Sequence, residues 1–210
     1  MIKKNIKILI ITSIVILLPI IAGVVLWNKL PDKVPIHWNI NNEVDRYASK
    51  TFFVFFMPLI FLAMHWFCVV VTTLDPKNQN HQDKMLVLVF WLIPLINLVL
   101  STITYFTTLG IGVEMGIIMP LFLGFIFLVL GNYLPKCKQN YTIGIKIAYT
   151  LNSEENWNKT HRFAGWVWTI CGFIIMLTSF LNTWWILLVV LLIMAIAPLI
   201  YSFILYKKGV

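Results

Sequence analysis

The sequence is short of charge, and most of all of acidic residues. Only 11% of its 210 residues are charged, whereas soluble domains carry about 25%. It has 8 Asp and Glu residues against 16 Lys and Arg, while 60% of all residues are hydrophobic. A soluble fold of this length could not bury so much apolar surface, so we expect that surface to face lipid or other helices.

Cysteine and metal-binding patterns are also scarce. The chain has three cysteines, which are Cys68, Cys137 and Cys171. Their spacing is not typical of a disulfide framework or a zinc site. His37, Glu43 and Asp45 lie close in sequence, but zinc sites are dominated by His and Cys, which argues against a metal there. Basic residues are scattered rather than clustered, so we predict no metal, no cofactor and no direct binding of nucleic acid.

Six apolar runs are long enough to cross a bilayer, which takes about 20 helical residues. They cover roughly residues 6–28, 51–73, 85–109, 113–133, 163–181 and 184–206. The first follows Lys3, Lys4 and Lys7 but no small-residue cleavage site follows it, so we interpret it as an uncleaved helix. The predicted fold class is all-α, a polytopic transmembrane bundle of six helices. Short connectors near 110–112 and 182–183 predict tight antiparallel helix pairs.

The lysines and arginines are divided unevenly between the two faces of this bundle. With the N-terminus inside, twelve lie on the inner face and four on the outer face. The four outer residues are Lys29, Lys33, Arg46 and Lys50. Positive charge accumulates on the cytoplasmic side of membrane proteins. We therefore predict that both termini and residues 135–162 are cytoplasmic, and that residues 29–50 are extracellular.

Polar residues at membrane depth are few. His65 lies in the second run and Asn97 in the third, and no Asp or Glu lies deep in any run. This is a poor set for proton-coupled transport, and we interpret both residues as hydrogen-bonding across helix interfaces. Five runs contain a proline, which is common in membrane helices and is also compatible with the moving helices of a transporter.

The predicted extracellular segment reads "PDKVPIHWNINNEVDRYASK" from residue 31 to 50. Pro31 and Pro35 restrict the backbone to extended conformations at its start. The asparagines at its centre are typical of turns, and Ser49 is suited to cap the second helix. The segment is therefore expected to be shaped rather than slack.

The predicted cytoplasmic segment contains a helix start. Asn152 followed by Glu155 resembles a capping box, which predicts a helix that continues into the fifth span. Trp157 and His161 would share one face of it. Thr160 would point about 100° away from His161, which argues against a catalytic pair. A basic loop on anionic headgroups would explain the lysines but not these other residues.

Together the two segments resemble the signature motifs of the SdpI family. The motifs are "LPDKVPIHWNINNEVDRYASK" and "GNYLPKCKQNYTIGIKIAYTLNSEENWNKTHRFAG". Asn42 stands where the family usually has Gly, and Asn tolerates a left-handed backbone. Lys146 stands where Arg is usual and lacks the bidentate fork of Arg. The resemblance divides the chain into residues 1–80, with two membrane helices and extracellular loop 29–50, and an SdpI-like module 81–210, with four membrane helices and cytoplasmic loop 135–162.

The motifs imply candidate binding residues in both segments, with no catalytic residues among them. In the extracellular segment they are His37, Asn39, Asp45 and Lys50. In the cytoplasmic segment they are Asn132, Asn140, Lys146, Thr150, Trp157, Thr160, His161 and Arg162. For the four extracellular residues, binding a partner and holding the segment's own fold are equally open roles at this point.

The resemblance implies a bacterial membrane immunity protein and not an enzyme. Such a protein protects the producer from its own secreted antimicrobial peptide, and signals by recruiting a cytoplasmic transcriptional repressor. The implied partners are membrane lipids, the peptide toxin and the repressor, and the implied location is the bacterial cytoplasmic membrane. The alternatives are a small transporter or membrane enzyme acting on a lipid or cell-envelope substrate, and a purely structural membrane subunit.

Overall fold

A computed structural model describes residues 1–77, 83–181 and 184–210, and helices dominate it. The long helices are α1 (Ile2–Val25), α2 (Met57–Thr73), α3 (Asp83–Thr108), α4 (Met115–Tyr133), and, after a short α5 (Ala148–Asn152), α6 (Glu154–Thr178) and α7 (Trp184–Lys207). A π-helical turn, Phe52–Phe56, runs directly into α2. Within the described residues six helical segments are long and apolar enough to cross a membrane, which confirms the six predicted spans.

The predicted all-α class needs one correction, because residues 33–49 form a β-hairpin. Strand β1 (Lys33–Trp38) pairs antiparallel with β2 (Val44–Ser49), and the register is irregular around His37. A two-stranded hairpin is marginal alone in water. This one is anchored at its base, where Leu30 and Val34 are buried against Phe53, Val54 and Tyr105.

The described chain forms two compact units. One comprises Met1–Thr73 and Leu86–Met115, and the other comprises Leu74–Met85 and Gly116–Val210. Most of α3 therefore belongs with α1 and α2, whereas the sequence-based division at residue 80 placed it with the C-terminal module.

Hydrogen bonds at membrane depth explain why α3 packs in the first unit. Asn97 donates to the carbonyl of Ile16 at 2.9 Å, and the Tyr105 hydroxyl donates to the carbonyl of Pro19 at 2.8 Å. His65 on α2 forms a 3.1 Å hydrogen bond with Thr12 on α1. The interpretation of His65 and Asn97 as interhelical hydrogen-bonding residues is confirmed.

In the second unit, close backbone approach brings α4 against α6. A Cβ atom on Gly131 would lie 2.6 Å from the Thr169 nitrogen, and one on Gly165 would lie 2.8 Å from the Gly131 carbonyl oxygen. Any side chain at these glycines would force the helices apart, as in other membrane helix pairs that use small residues. The predicted short connector at 182–183 lies outside the described residues.

Candidate functional site

The hairpin surface (residues 30–50) contains all four candidate residues of the first motif, and each contacts another part of the hairpin or its base. His37 Nδ1 lies 2.6 Å from an Asp45 carboxylate oxygen across the two strands. This hydrogen bond holds the pKa of Asp45 below its ordinary value. The side chains of His37 and Asp45 remain 53% and 39% exposed, so the pair is accessible from solvent.

Asn39 shapes the turn between the strands. Its side-chain oxygen accepts hydrogen bonds from the backbone N–H groups of Asn41 and Glu43, at 2.9 and 3.0 Å. Its amide nitrogen donates to the Glu43 carboxylate at 3.0 Å. Asn42 has a φ of 66°, so the predicted left-handed turn at this position is confirmed.

Lys50 stabilises the end of the hairpin through two contacts. Its ammonium lies 3.2 Å from the Asp32 carboxylate and 5.1 Å from the centre of the Trp27 ring. The Ser49 hydroxyl accepts from the Phe52 N–H at 3.2 Å, as a capping residue would. Asp32 and Glu43 thus belong to this surface, and Trp27 lies beside its base. Of these, Glu43 lies four residues after Asn39, and this spacing across a turn could have predicted their contact from the sequence.

The loop surface (residues 136–162) is built around buried polar side chains of the second motif. The side-chain oxygen of Asn140, which is 1% exposed, accepts from the N–H groups of Thr142 and Ile143 at 2.9 and 2.6 Å. Its amide donates to the carbonyls of Lys138 and Ile143 at 2.8 and 2.9 Å. One asparagine therefore closes the whole turn from 138 to 143.

Trp157 and His161 lie beneath this turn on one face of α6, as predicted. Their rings stack at 4.0 Å, and the Trp157 indole donates to the Cys137 carbonyl at 2.7 Å. His161 Nε2 accepts from the Ile145 N–H at 2.9 Å, so its Nδ1 carries the hydrogen that reaches the Trp157 carbonyl at 2.8 Å. Gly144 fits over both rings with a φ of 117°.

Thr150 and Thr160 are also fully buried, and their hydroxyl groups form hydrogen bonds to residues nearby in the chain. The Thr150 hydroxyl donates to the Ile145 carbonyl at 2.7 Å and accepts from the Ile147 N–H at 3.1 Å. The Thr160 hydroxyl donates to the side chain of Asn156 at 3.0 Å, and Ser202 on α7 donates to the same oxygen at 2.6 Å. Asn156 was missed because its partner on α7 lies 46 residues away.

The remaining candidates face outward. Asn132, Lys146 and Arg162 are exposed, and the Lys146 ammonium donates to the Thr142 carbonyl at 2.9 Å. The structure therefore separates the motif into a buried framework and an exposed basic surface. It does not bring all eight residues into one binding pocket.

The start of α6 differs slightly from the prediction. Ser153, not Asn152, is the N-cap, and its hydroxyl accepts from the Asn156 N–H at 3.1 Å. Asn152 instead ends α5. The prediction that this helix continues into the fifth span is confirmed.

The polar side chains of the loop surface are bonded mainly to the protein itself. Among the described residues no group of three or more His, Cys, Asp or Glu side chains could hold a metal ion. Both ring nitrogens of His161 and the Thr160 hydroxyl are engaged with protein groups. A cleft beside α5 is lined by Tyr149, Asn152, Ser153, Tyr206, Gly209 and Val210, and none of the exposed motif residues is among them. The arrangement can present two shaped surfaces to partners.

The fold and these surfaces define a polytopic membrane protein with two structured polar segments. The chain belongs to the SdpI family. The model of the SdpI/YfhL protein family matches residues 136–202, and that of a domain of unknown function (DUF1648) matches residues 14–62. Immunity protein SdpI of Bacillus subtilis (strain 168) is 30% identical over 215 residues, which cover 98% of this chain and 97% of that protein. No solved structure matches the chain.

These matches confirm the resemblance read from the two motifs. They also support the predicted class of membrane immunity protein, because the similarity covers both surfaces and every span.

Proposed function

We propose that this membrane immunity protein protects its bacterium against a secreted antimicrobial peptide, and that the hairpin surface meets the peptide. The observation that carries the proposal is the similarity to an immunity protein along almost the whole chain. The hairpin supports it, because its strands are fixed by internal bonds while His37 and Asp45 stay accessible. A surface held in its binding shape loses less conformational entropy when a ligand binds.

The proposal includes an orientation. Both termini and the loop surface lie in the cytoplasm, and the hairpin surface lies outside, as the distribution of lysine and arginine favours. A secreted peptide would then reach the hairpin without crossing the membrane. The loop surface, with Lys146 and Arg162 exposed, would face cytoplasmic proteins, including a transcriptional repressor held at the membrane.

The test is deletion of the gene from the bacterium that carries it, followed by growth in that strain's own spent medium. We expect the deletion strain to lose viability and the restored gene to recover it. A His37→Ala, Asp45→Ala double variant should restore viability less well than the wild type at equal amounts in the membrane. A Glu155→Ala variant is the control, since Glu155 is exposed, lies outside the hairpin and is not among the candidate binding residues.

Unchanged survival and unchanged transcript levels in the deletion strain would contradict the proposal. Full recovery by the double variant would be compatible with an immunity function but would show that His37 and Asp45 are not needed for it.

A further inference from the structure

A buried carboxylate outside both motifs holds the loop surface in place. Asp75 follows α2 and is 3% exposed. One of its carboxylate oxygens accepts from the Tyr141 N–H at 2.9 Å and from the Thr142 hydroxyl at 2.8 Å. The other accepts from the Lys77 N–H at 2.8 Å.

Lys77 extends the same attachment to the next part of the loop. Its ammonium donates to the side-chain oxygen of Gln139 and lies 5.3 Å from the centre of the Tyr141 ring. The amide of Gln139 donates in turn to the carbonyls of Thr150 and Leu151 in α5, at 2.9 and 3.0 Å. Hydrogen bonds therefore link the segment after α2 to the turn of the loop and, through Gln139, to α5.

The loop itself supplies positive charge but no acidic residue near this attachment. Between Glu114 and Glu154 the sequence has no acidic residue, while Lys136, Lys138 and Lys146 carry positive charge. The carboxylate of Asp75 reaches the loop from a distant part of the chain and is buried beneath it. It can fix the backbone at Tyr141 and Thr142 while the lysines stay exposed to a partner.

We propose that Asp75 is the positioning residue of the loop surface. It acts through Tyr141 and Thr142 and sets how Lys138, Tyr141 and Lys146 are presented to the cytoplasmic partner. The inference deepens the proposed function and rests on it for the partner.

Cys137 is a native reporter of this attachment. It is buried, and its thiol donates to the Ile143 carbonyl at 3.3 Å inside the turn that Asp75 supports. Burial raises the pKa of Cys137 to about 11, partly offset by a hydrogen bond from Asn140. Only the thiolate reacts with maleimide, so the closed loop should protect Cys137 by both access and ionisation.

The experiment measures maleimide labelling of Cys137 in the full-length protein, purified as a monodisperse species in detergent, with Cys68→Ser and Cys171→Ala removing the other thiols. We expect Asp75→Ala to raise the labelling rate at least tenfold. Thr142→Val, which removes one of the donors to Asp75, should raise it less. Glu155→Ala is the control and should label at the parent rate, because that acid is exposed and pairs with Lys159.

The same variants are then returned to the deletion strain. We expect Asp75→Ala to impair survival or the transcript response, and Glu155→Ala to leave both unchanged. Labelling of Asp75→Ala at the parent rate would overturn the positioning role, whether or not the protein confers immunity. Faster labelling with full survival and a normal transcript response would also overturn it, since the loop's shape would then not matter. Failure of the wild-type gene to restore survival would instead contradict the proposed function.

Discussion

Two asparagines of one motif show how differently single residues are used in this protein. Asn140 is buried and satisfies backbone groups on both sides of a turn, whereas Asn132 is exposed. The sequence motif marks both equally. Burial and hydrogen bonding separate them, because Asn140 is 1% exposed and its side chain bonds to groups within three residues along the chain.

Replacement of Asn140 by Ala should destabilise the loop surface. It would leave several buried N–H and C=O groups without a partner, each at a cost of about 1–3 kcal/mol. We expect a clear fall in thermal unfolding temperature in detergent and faster labelling of Cys137. Asn132→Ala, as an exposed substitution, should change stability by less than about 0.5 kcal/mol. Equal effects of the two substitutions would contradict this division of roles.

The His37–Asp45 pair predicts a specific pH dependence. The hydrogen bond from His37 lowers the folded-state pKa of Asp45. A lowered carboxyl pKa contributes stability that is complete above the unfolded-state pKa and is lost as the pH falls through the folded-state pKa. The contribution of Asp45 to the stability of the hairpin should therefore be lost in acid.

A carboxyl-carbon NMR titration measures this directly. His37→Ala should move the Asp45 midpoint up toward the ordinary value for Asp, while Asn41→Ala at the turn should leave it in place. A midpoint that is the same in His37→Ala and in the wild type would show that the pair is not formed.

At the scale of elements, the sequence pattern predicted the membrane-spanning helices. It did not predict the features that depend on contacts between residues distant in the chain. A helix must supply about 20 apolar residues to cross the membrane, so all six spans are visible in the chain. The hairpin was expected only as a shaped loop, because Pro35 interrupts the pattern of its first strand and because its base packs against the distant residues Phe53, Val54 and Tyr105. Asp75 was missed because Tyr141 lies 66 residues further along.

The turn of the loop surface depends on one glycine. Gly144 has a φ of 117°, and a Cβ atom there would lie 2.5 Å from His161 Nε2. Gly144→Ala should therefore cost at least about 1–3 kcal/mol from backbone strain alone, with the clash added. The thermal unfolding temperature of Gly144→Ala should be markedly lower than that of the wild type. Gly112→Ala should leave it unchanged, because a Cβ atom there meets nothing within 4 Å. Similar unfolding temperatures for the two variants would contradict the claim that the turn requires glycine at position 144.

At the scale of the whole molecule, we propose that the two shaped polar surfaces face opposite sides of a membrane. The hairpin follows the first of six apolar helices and the loop surface follows the fourth. If every helix crosses, the two surfaces must face opposite compartments, whichever way the chain is oriented. The lysine and arginine distribution favours the proposed orientation, in which the hairpin is outside.

Labelling of single cysteines with a membrane-impermeant maleimide in intact cells tests this most directly. One cysteine replaces Asn41 at the tip of the hairpin and another replaces exposed Lys138 on the loop surface, both in a chain without its native cysteines. The account predicts that Asn41→Cys is labelled in intact cells and that Lys138→Cys is labelled only after the membrane is permeabilised. Labelling of both positions in intact cells, or of Lys138→Cys alone, would contradict it.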